Sequence, residues 1–168
     1  MGLVGFGEIA RAVAERARAL GMLIAAYDPF LARDNPDWQG VTRCTLPDLL
    51  TTADVLSLHV PLTEGTRGLI DREAIDRMKP KAILINTARG GIIYEKALAA
   101  ALRDGRLGGA ALDVFEDEPL PAERGAIFDG VPNLVLTPHI AGVTQEANVR
   151  VSAVTIENVR QELAHART

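Results

Sequence analysis

Gly2-Leu3-Val4-Gly5-Phe6-Gly7-Glu8-Ile9-Ala10 decides the fold. An apolar run enters a pair of glycines and leaves into a helical pattern, the setting a dinucleotide-binding turn requires. Gly5 permits the tight turn, and Gly7 lets backbone approach a pyrophosphate at the helix N-terminus. Ala10, in place of a third glycine, still allows close packing of helix on strand. Asp28 ends the next apolar run, 21 positions after Gly7, where a carboxylate can accept from both ribose hydroxyls. A 2′-phosphate would be repelled there, so NAD is expected over NADP. Asp28 could instead cap a turn before Pro29. Glu8 is a departure, because an acid beside a pyrophosphate repels it unless its side chain turns to solvent.

Working outward, short apolar runs alternate with amphipathic stretches. Strands are expected at Gly2–Gly5, Met22–Tyr27, Val41–Cys44, Val55–Leu58, Ala82–Ile85, Gly109–Leu112 and Leu134–Leu136. Their near-continuous apolar character suits parallel strands covered on both faces. Ile9, Val13, Arg16, Ala17 and Leu20 fall at helical spacing before a stop at Gly21. Further helices are expected from Thr45 to Thr51, Asp71 to Met78 and Tyr94 to Arg103, with Pro119–Pro132 as a surface loop. This alternation predicts an α/β fold, a doubly wound, mostly parallel sheet of the Rossmann type spanning residues 1–168. A final helix, Thr144 to about Ala164, gathers Ala147, Val151 and Val154 on one side. Val149, Ala153, Ile156, Val159 and Leu163 lie on the other, the pattern of a helix held between two layers; the alternative is that the Ala and Val positions merely tolerate solvent.

The 168 residues are enough for one domain, 48% hydrophobic and 24% charged. A net charge of −4 speaks against a nucleic-acid partner. No apolar run reaches the roughly 18 residues of a membrane span, and MGLVGF has the shape of neither a secretory signal nor a myristoylation site. The lone Cys44 excludes an internal disulfide, which makes a reducing cytoplasm the expected compartment and a packed thiol its expected role. No metal is expected.

Three further residues end apolar runs: Arg89 in INTARGG, Glu118 in DVFEDEP and His139 in LTPHIAG. They offer a cation for a carboxylate, an acid to orient an imidazole, and an imidazole to move a proton. Each has a plainer alternative, as a strand-end cation, a solvated loop acid or a helix cap. Together with the glycine turn they make a recognisable set. The chain resembles the nucleotide-binding domain of the NAD-dependent D-isomer-specific 2-hydroxyacid dehydrogenases. The likeness runs from Gly2 to about Val151 through GLVGFGEIA, the Asp28 strand end, ADVLSLHVPLTEGTRGLI, MKPKAILINTARGG, ALRDGRLGGAALDVFEDEP and PNLVLTPHIAG.

The resemblance implies roles by position. The backbone of Glu8 and Ile9 would meet the pyrophosphate and Asp28 the adenosine ribose. Val60 and Pro61 would line the adenine and ribose region, and Thr87, Ala88 and Arg89 the nicotinamide ribose. Asp113 would hold the carboxamide, with His139 to Gly142 closing the pocket and His59 serving structure. Glu118, rather than Glu116 or Asp117, would pair with His139, because it immediately precedes Pro119. Tyr94 departs from the small acidic or amide residue expected before Glu95.

The resemblance further implies hydride transfer between NAD and a 2-hydroxy/2-oxo acid pair, and a homodimer. A non-catalytic NAD-sensing or partner-binding protein on the same fold is the alternative. Members of the family carry a second, substrate-binding domain. Met1 stands at the first strand and Thr168 just beyond the last helix, so that domain is expected to be absent here. The chain alone would then bind NADH while turning over slowly or not at all.

Overall fold

The computed structural model describes residues Met1–His165; the last three positions of the expected 1–168 domain lie outside the described residues. The chain divides into two compact units, Met1–Pro138 and His139–Thr168. The first holds a seven-stranded sheet. Its strands are β1 (Gly2–Val4), β2 (Ala25–Tyr27), β3 (Thr42–Arg43), β4 (Val55–Leu58), β5 (Ile83–Asn86), β6 (Gly109–Leu112) and β7 (Leu134–Leu136). They lie in the order β3-β2-β1-β4-β5-β6-β7, and every pairing is parallel. The winding reverses beside β1, which pairs Gly2 with Ala25 on one side and with Leu56 on the other. All seven expected strands are present, and the fold is a Rossmann-type sheet.

Helices α1 (Glu8–Ala19), α2 (Leu46–Thr52), α3 (Arg72–Arg77) and α4 (Glu95–Arg103) fill the connections. Thr45 caps α2 by accepting from the Asp48 amide, and the Asp71 carboxylate caps α3 from the Ala74 amide at 2.8 Å. The larger core joins α2, α3 and α4 to β4–β6 through Leu49, Leu56, Leu58, Ile75, Leu84 and Leu98. A smaller one lies under α1, where Leu3, Phe6, Ala26 and Trp38 meet Ala10, Ala14 and Ala17.

Three features differ from expectation. The buried stripe of α1 is Ala10–Ala14–Ala17, whereas Ile9 and Leu20 are exposed. Alanine lets the helix axis sit close to the sheet, and closeness to the turn outweighs side-chain size. The segment Pro119–Pro132 is more than a surface loop: it contains α5 (Ala122–Gly125) and a 3-10 turn, Ala126–Phe128, that drives Phe128 into the core against Phe115. Finally, β5 and β7 are not covered on both faces, since Ile83 is 41% and Val135 60% exposed. Helices α2–α4 share one core on the opposite face.

Cys44 packs half-buried against the larger core, and its Sγ donates to the Ala26 carbonyl. Burial, reinforced by Asp48, pushes its thiol above the usual range, which suits a packing role. The second unit consists of a short turn and α6 (Gln145–His165), capped where the Thr144 hydroxyl accepts from the Ala147 amide at 3.0 Å. Its apolar side chains, expected between two layers, are exposed along the whole helix. Among the described residues, no helix is long and apolar enough to cross a membrane.

The smaller core depends on Trp38. Its ring stacks on Phe6 with centroids 5.1 Å apart, and its indole N–H donates to the Ala32 carbonyl at 2.9 Å. Trp38→Ala is expected to destabilise the chain by about 3–5 kcal/mol, read as a lower urea midpoint.

Candidate functional site

Parallel strands deliver their carboxyl ends to one rim, and the winding reversal beside β1 opens a crevice there. A cavity of about 370 Å³ occupies it, lined by Gly5, Gly7, Asp28, Val60 and Pro61 of the expected set. Gly5 has φ +85, and a Cβ on it would lie 2.9 Å from the His59 carbonyl oxygen, so the turn admits only glycine. Around Gly7, by contrast, nothing stands within 4 Å of a Cβ position. Backbone at the start of the twelve-residue α1 is therefore open to a phosphate, where helix dipole and unpaired amides favour one. Glu8 and Ile9 form that first turn. Both side chains are exposed, so the Glu8 carboxylate is not buried beside the turn.

Asp28 does more than face the cavity. One carboxylate oxygen accepts from the Phe6 amide at 2.8 Å; the other accepts from the amides of Phe30 and Leu31 at 2.9 and 3.2 Å. It ties the glycine turn to the loop after β2. Sequence reasoning missed Tyr27, Pro29, Phe30, Thr66 and Leu69, which complete an apolar lining. Their signal was available, since Tyr27, Pro29 and Phe30 stand beside Asp28 and Thr66 and Leu69 lie in the stretch ADVLSLHVPLTEGTRGLI. His59, expected to be structural, bonds Ser57 through Nε2 at 3.0 Å and also lines the cavity. Burial holds its imidazole below the usual range, which favours the neutral form.

The other expected residues follow β5 and β6. Thr87 and Arg89 are exposed, and Ala88 is half-buried between them. Asn86, buried at the end of β5, shapes this turn: its amide nitrogen donates to the Arg89 carbonyl at 2.8 Å and its oxygen accepts from the Ala88 amide at 3.0 Å. Arg89 itself donates to the Ala88 carbonyl at 2.6 Å. Asp113 is buried at the end of β6, where its carboxylate accepts from the Thr137 hydroxyl at 2.5 Å. Two positions on, the Phe115 carbonyl presses against Gly90, where a Cβ would come within 1.6 Å of its oxygen. The turn bearing Arg89 and the loop bearing Glu118 thus meet backbone to backbone.

Three acids compete on that loop. Arg124 pairs with Glu116 at 2.9 Å and with Asp117 at 2.8 Å. Glu118 turns back instead, accepting from the Phe115 amide at 2.9 Å. His139 and Gly142 belong to the second unit. There His139 has φ 55, the left-handed region uncommon for residues other than glycine.

Residues 1–141 match the family described as D-isomer specific 2-hydroxyacid dehydrogenase, NAD binding domain, and the chain belongs to that family. It is 59% identical over 164 residues to the (S)-sulfolactate dehydrogenase of Chromohalobacter salexigens, covering 97% of this chain and 52% of that protein. It is 46% identical over 163 residues to the hydroxypyruvate reductase of Thermotoga maritima, again covering 97% and 52%. Among solved structures, the D-lactate dehydrogenase of Aquifex aeolicus with NAD and lactic acid superposes with a TM-score of 0.87 at 33% identity. That likeness covers 98% of this chain and 53% of the other. The chain therefore spans about half the length of the curated relatives named here. The family's cofactor is NAD, and the open backbone at Gly7 with a carboxylate at the cavity wall suits it.

The contact between Gly90 and Phe115 has no slack. Gly90→Ala must separate the two loops, and is expected to lower stability by about 3 kcal/mol or more in a urea titration.

Proposed function

We propose that this chain carries the cofactor-binding and acid/base machinery for moving a hydride between NAD and C2 of a D-2-hydroxy acid. Reducing a 2-oxo acid needs a hydride at C2 and a proton on the carbonyl oxygen. NADH, when bound, supplies the hydride. His139 supplies the proton, and takes it back in the oxidative direction. Family resemblance gives Glu118 the role of orienting the imidazole and fixing its tautomer. Arg89 clamps the substrate carboxylate through its forked donors and draws charge from the carbonyl. The observation that carries this reading is the seat of Gly90 on Phe115, which sets the Arg89 turn against the Glu118 loop at the strand ends. The hold of Arg124 on Glu116 and Asp117 supports Glu118 as the orienting acid.

For the cofactor, the glycine turn with Glu8 and Ile9 takes the pyrophosphate and Asp28 the adenosine ribose. Val60 and Pro61 line the adenosine end. Thr87, Ala88 and Arg89 stand by the nicotinamide ribose and Asp113 by the carboxamide; family resemblance gives His139 to Gly142 the role of closing the pocket. The relatives named for sulfolactate and hydroxypyruvate support a small 2-hydroxy/2-oxo acid as substrate. Apolar side chains exposed along α6 support pairing of two copies as a homodimer. A cytoplasmic setting suits the lone, weakly acidic thiol.

NADH oxidation with hydroxypyruvate, glyoxylate and 3-sulfopyruvate tests the activity; slow turnover is the expected result for the chain alone, and rapid turnover contradicts the expected need for a substrate-binding domain. His139→Ala is expected to lower turnover about a hundredfold or more while NADH affinity stays near that of the parent. Equal turnover in mutant and parent removes His139 from the chemistry. Titrations of both nucleotides are expected to favour NADH over NADPH; the reverse order contradicts the role given to Asp28.

A further inference from the structure

Two charged residues are buried among those described, Asp113 and Glu95, and the mechanism uses only the first. Glu95 opens α4 with its side chain 6% exposed. Burial, the largest effect, pushes its carboxyl above the usual range, and the charges of Glu116 and Asp117 push the same way, while the Glu116 amide and Arg124 offset part of this. An apolar side chain of similar size would fill the space with no desolvation penalty. Against this stand the attraction of Arg124 and one hydrogen bond, with Oε1 accepting from the Glu116 amide at 2.7 Å. That donor adjoins the Phe115 amide, which donates to Glu118. Consecutive amides of one loop therefore bind two carboxylates, a local one and one from α4.

We propose that Glu95 is a positioning residue for Glu118, pinning the loop Phe115–Glu118 to the start of α4 so that its acid keeps a fixed place beside the Arg89 turn. Three ties converge on this loop. The Asp113 amide donates to the Asn86 carbonyl at 3.0 Å, the Phe115 carbonyl rests on Gly90, and the Glu116 amide reaches Glu95. The first two fix where the loop leaves the sheet. The third fixes its far side, one residue from the backbone group that orients Glu118. Arg124 grips the same loop from outside through Glu116 and Asp117, but its side chain is 48% exposed and its ion pairs are correspondingly weak. The inference rests on the orienting role proposed above for Glu118.

Glu95→Ala and Glu95→Gln in the full chain test it by amide NMR together with steady-state kinetics. In Glu95→Ala the Phe115 and Glu116 amide resonances are expected to move and to exchange with solvent about tenfold faster or more. Turnover of hydroxypyruvate is expected to fall roughly tenfold to a hundredfold, with NADH affinity within about twofold. Glu95→Gln keeps an acceptor oxygen and is expected to restore both. An unmoved Phe115 amide in Glu95→Ala overturns the proposal, as does a turnover loss that glutamine fails to rescue or that merely follows lost NADH binding. If the parent chain fails to bind NADH, the hydride-transfer reading falls; if it binds NADH without measurable turnover, as expected where the substrate-binding domain is absent, the amide readout still decides whether Glu95 places Glu118.

Discussion

Parallel pairing of every strand is the constraint from which the site follows. Seven strands running one way bring all their carboxyl ends to a single rim, so each loop of the first unit that bears a candidate residue emerges on the same side. The glycine turn, Asp28, His59, Arg89 and Asp113 lie far apart in the chain, yet each follows a strand end. Reversal of the winding at β1 then separates two neighbouring loops and leaves a cleft between them. The close contacts at that rim are largely backbone against backbone: Gly5 on the His59 carbonyl and Gly90 on the Phe115 carbonyl. Contacts of this kind leave no rotamer to adjust, which makes the rim stiff where positioning matters.

The division of labour within the first unit matches its two cores. The larger core, with α2, α3 and α4, braces the loops after β5 and β6, where Arg89 and Glu118 sit. The smaller one, with α1 and Trp38, braces the glycine turn and the loop after β2. Arg11 of α1 pairs with Asp37 next to Trp38, closing that loop from behind. The nucleotide end and the acid/base end thus have separate foundations on one sheet.

Much of this was legible in the sequence, for local reasons. Seven apolar runs named seven strands, because parallel strands carry their apolar signal in consecutive residues. Gly5, Gly7 and Asp28 were legible because a tight turn and a strand-end carboxylate leave marks at fixed spacing. Most of what escaped depends on partners distant in the chain. The buried stripe of α1 follows how closely the helix can approach the sheet, which selects Ala10, Ala14 and Ala17 over the larger Ile9 and Leu20. Phe128 is buried because Phe115 receives it, and nothing around residue 128 announces that. Asn86 and Glu95 read as ordinary polar residues until the loops they hold are in place. The roles of His139 and Gly142 rest on family likeness.

Asp28 carries a consequence beyond recognition. Its two oxygens are engaged by three main-chain amides, so the group that would sense a ribose also stitches together two segments of the fold. Redesign toward a phosphorylated nucleotide would ordinarily remove this negative charge. Here removal would orphan the donors of Phe6, Phe30 and Leu31 at the same stroke. Evolution or engineering that shifts coenzyme preference in this scaffold therefore faces a repair problem as well as a selectivity problem, and a replacement must offer acceptors without bearing a full anion.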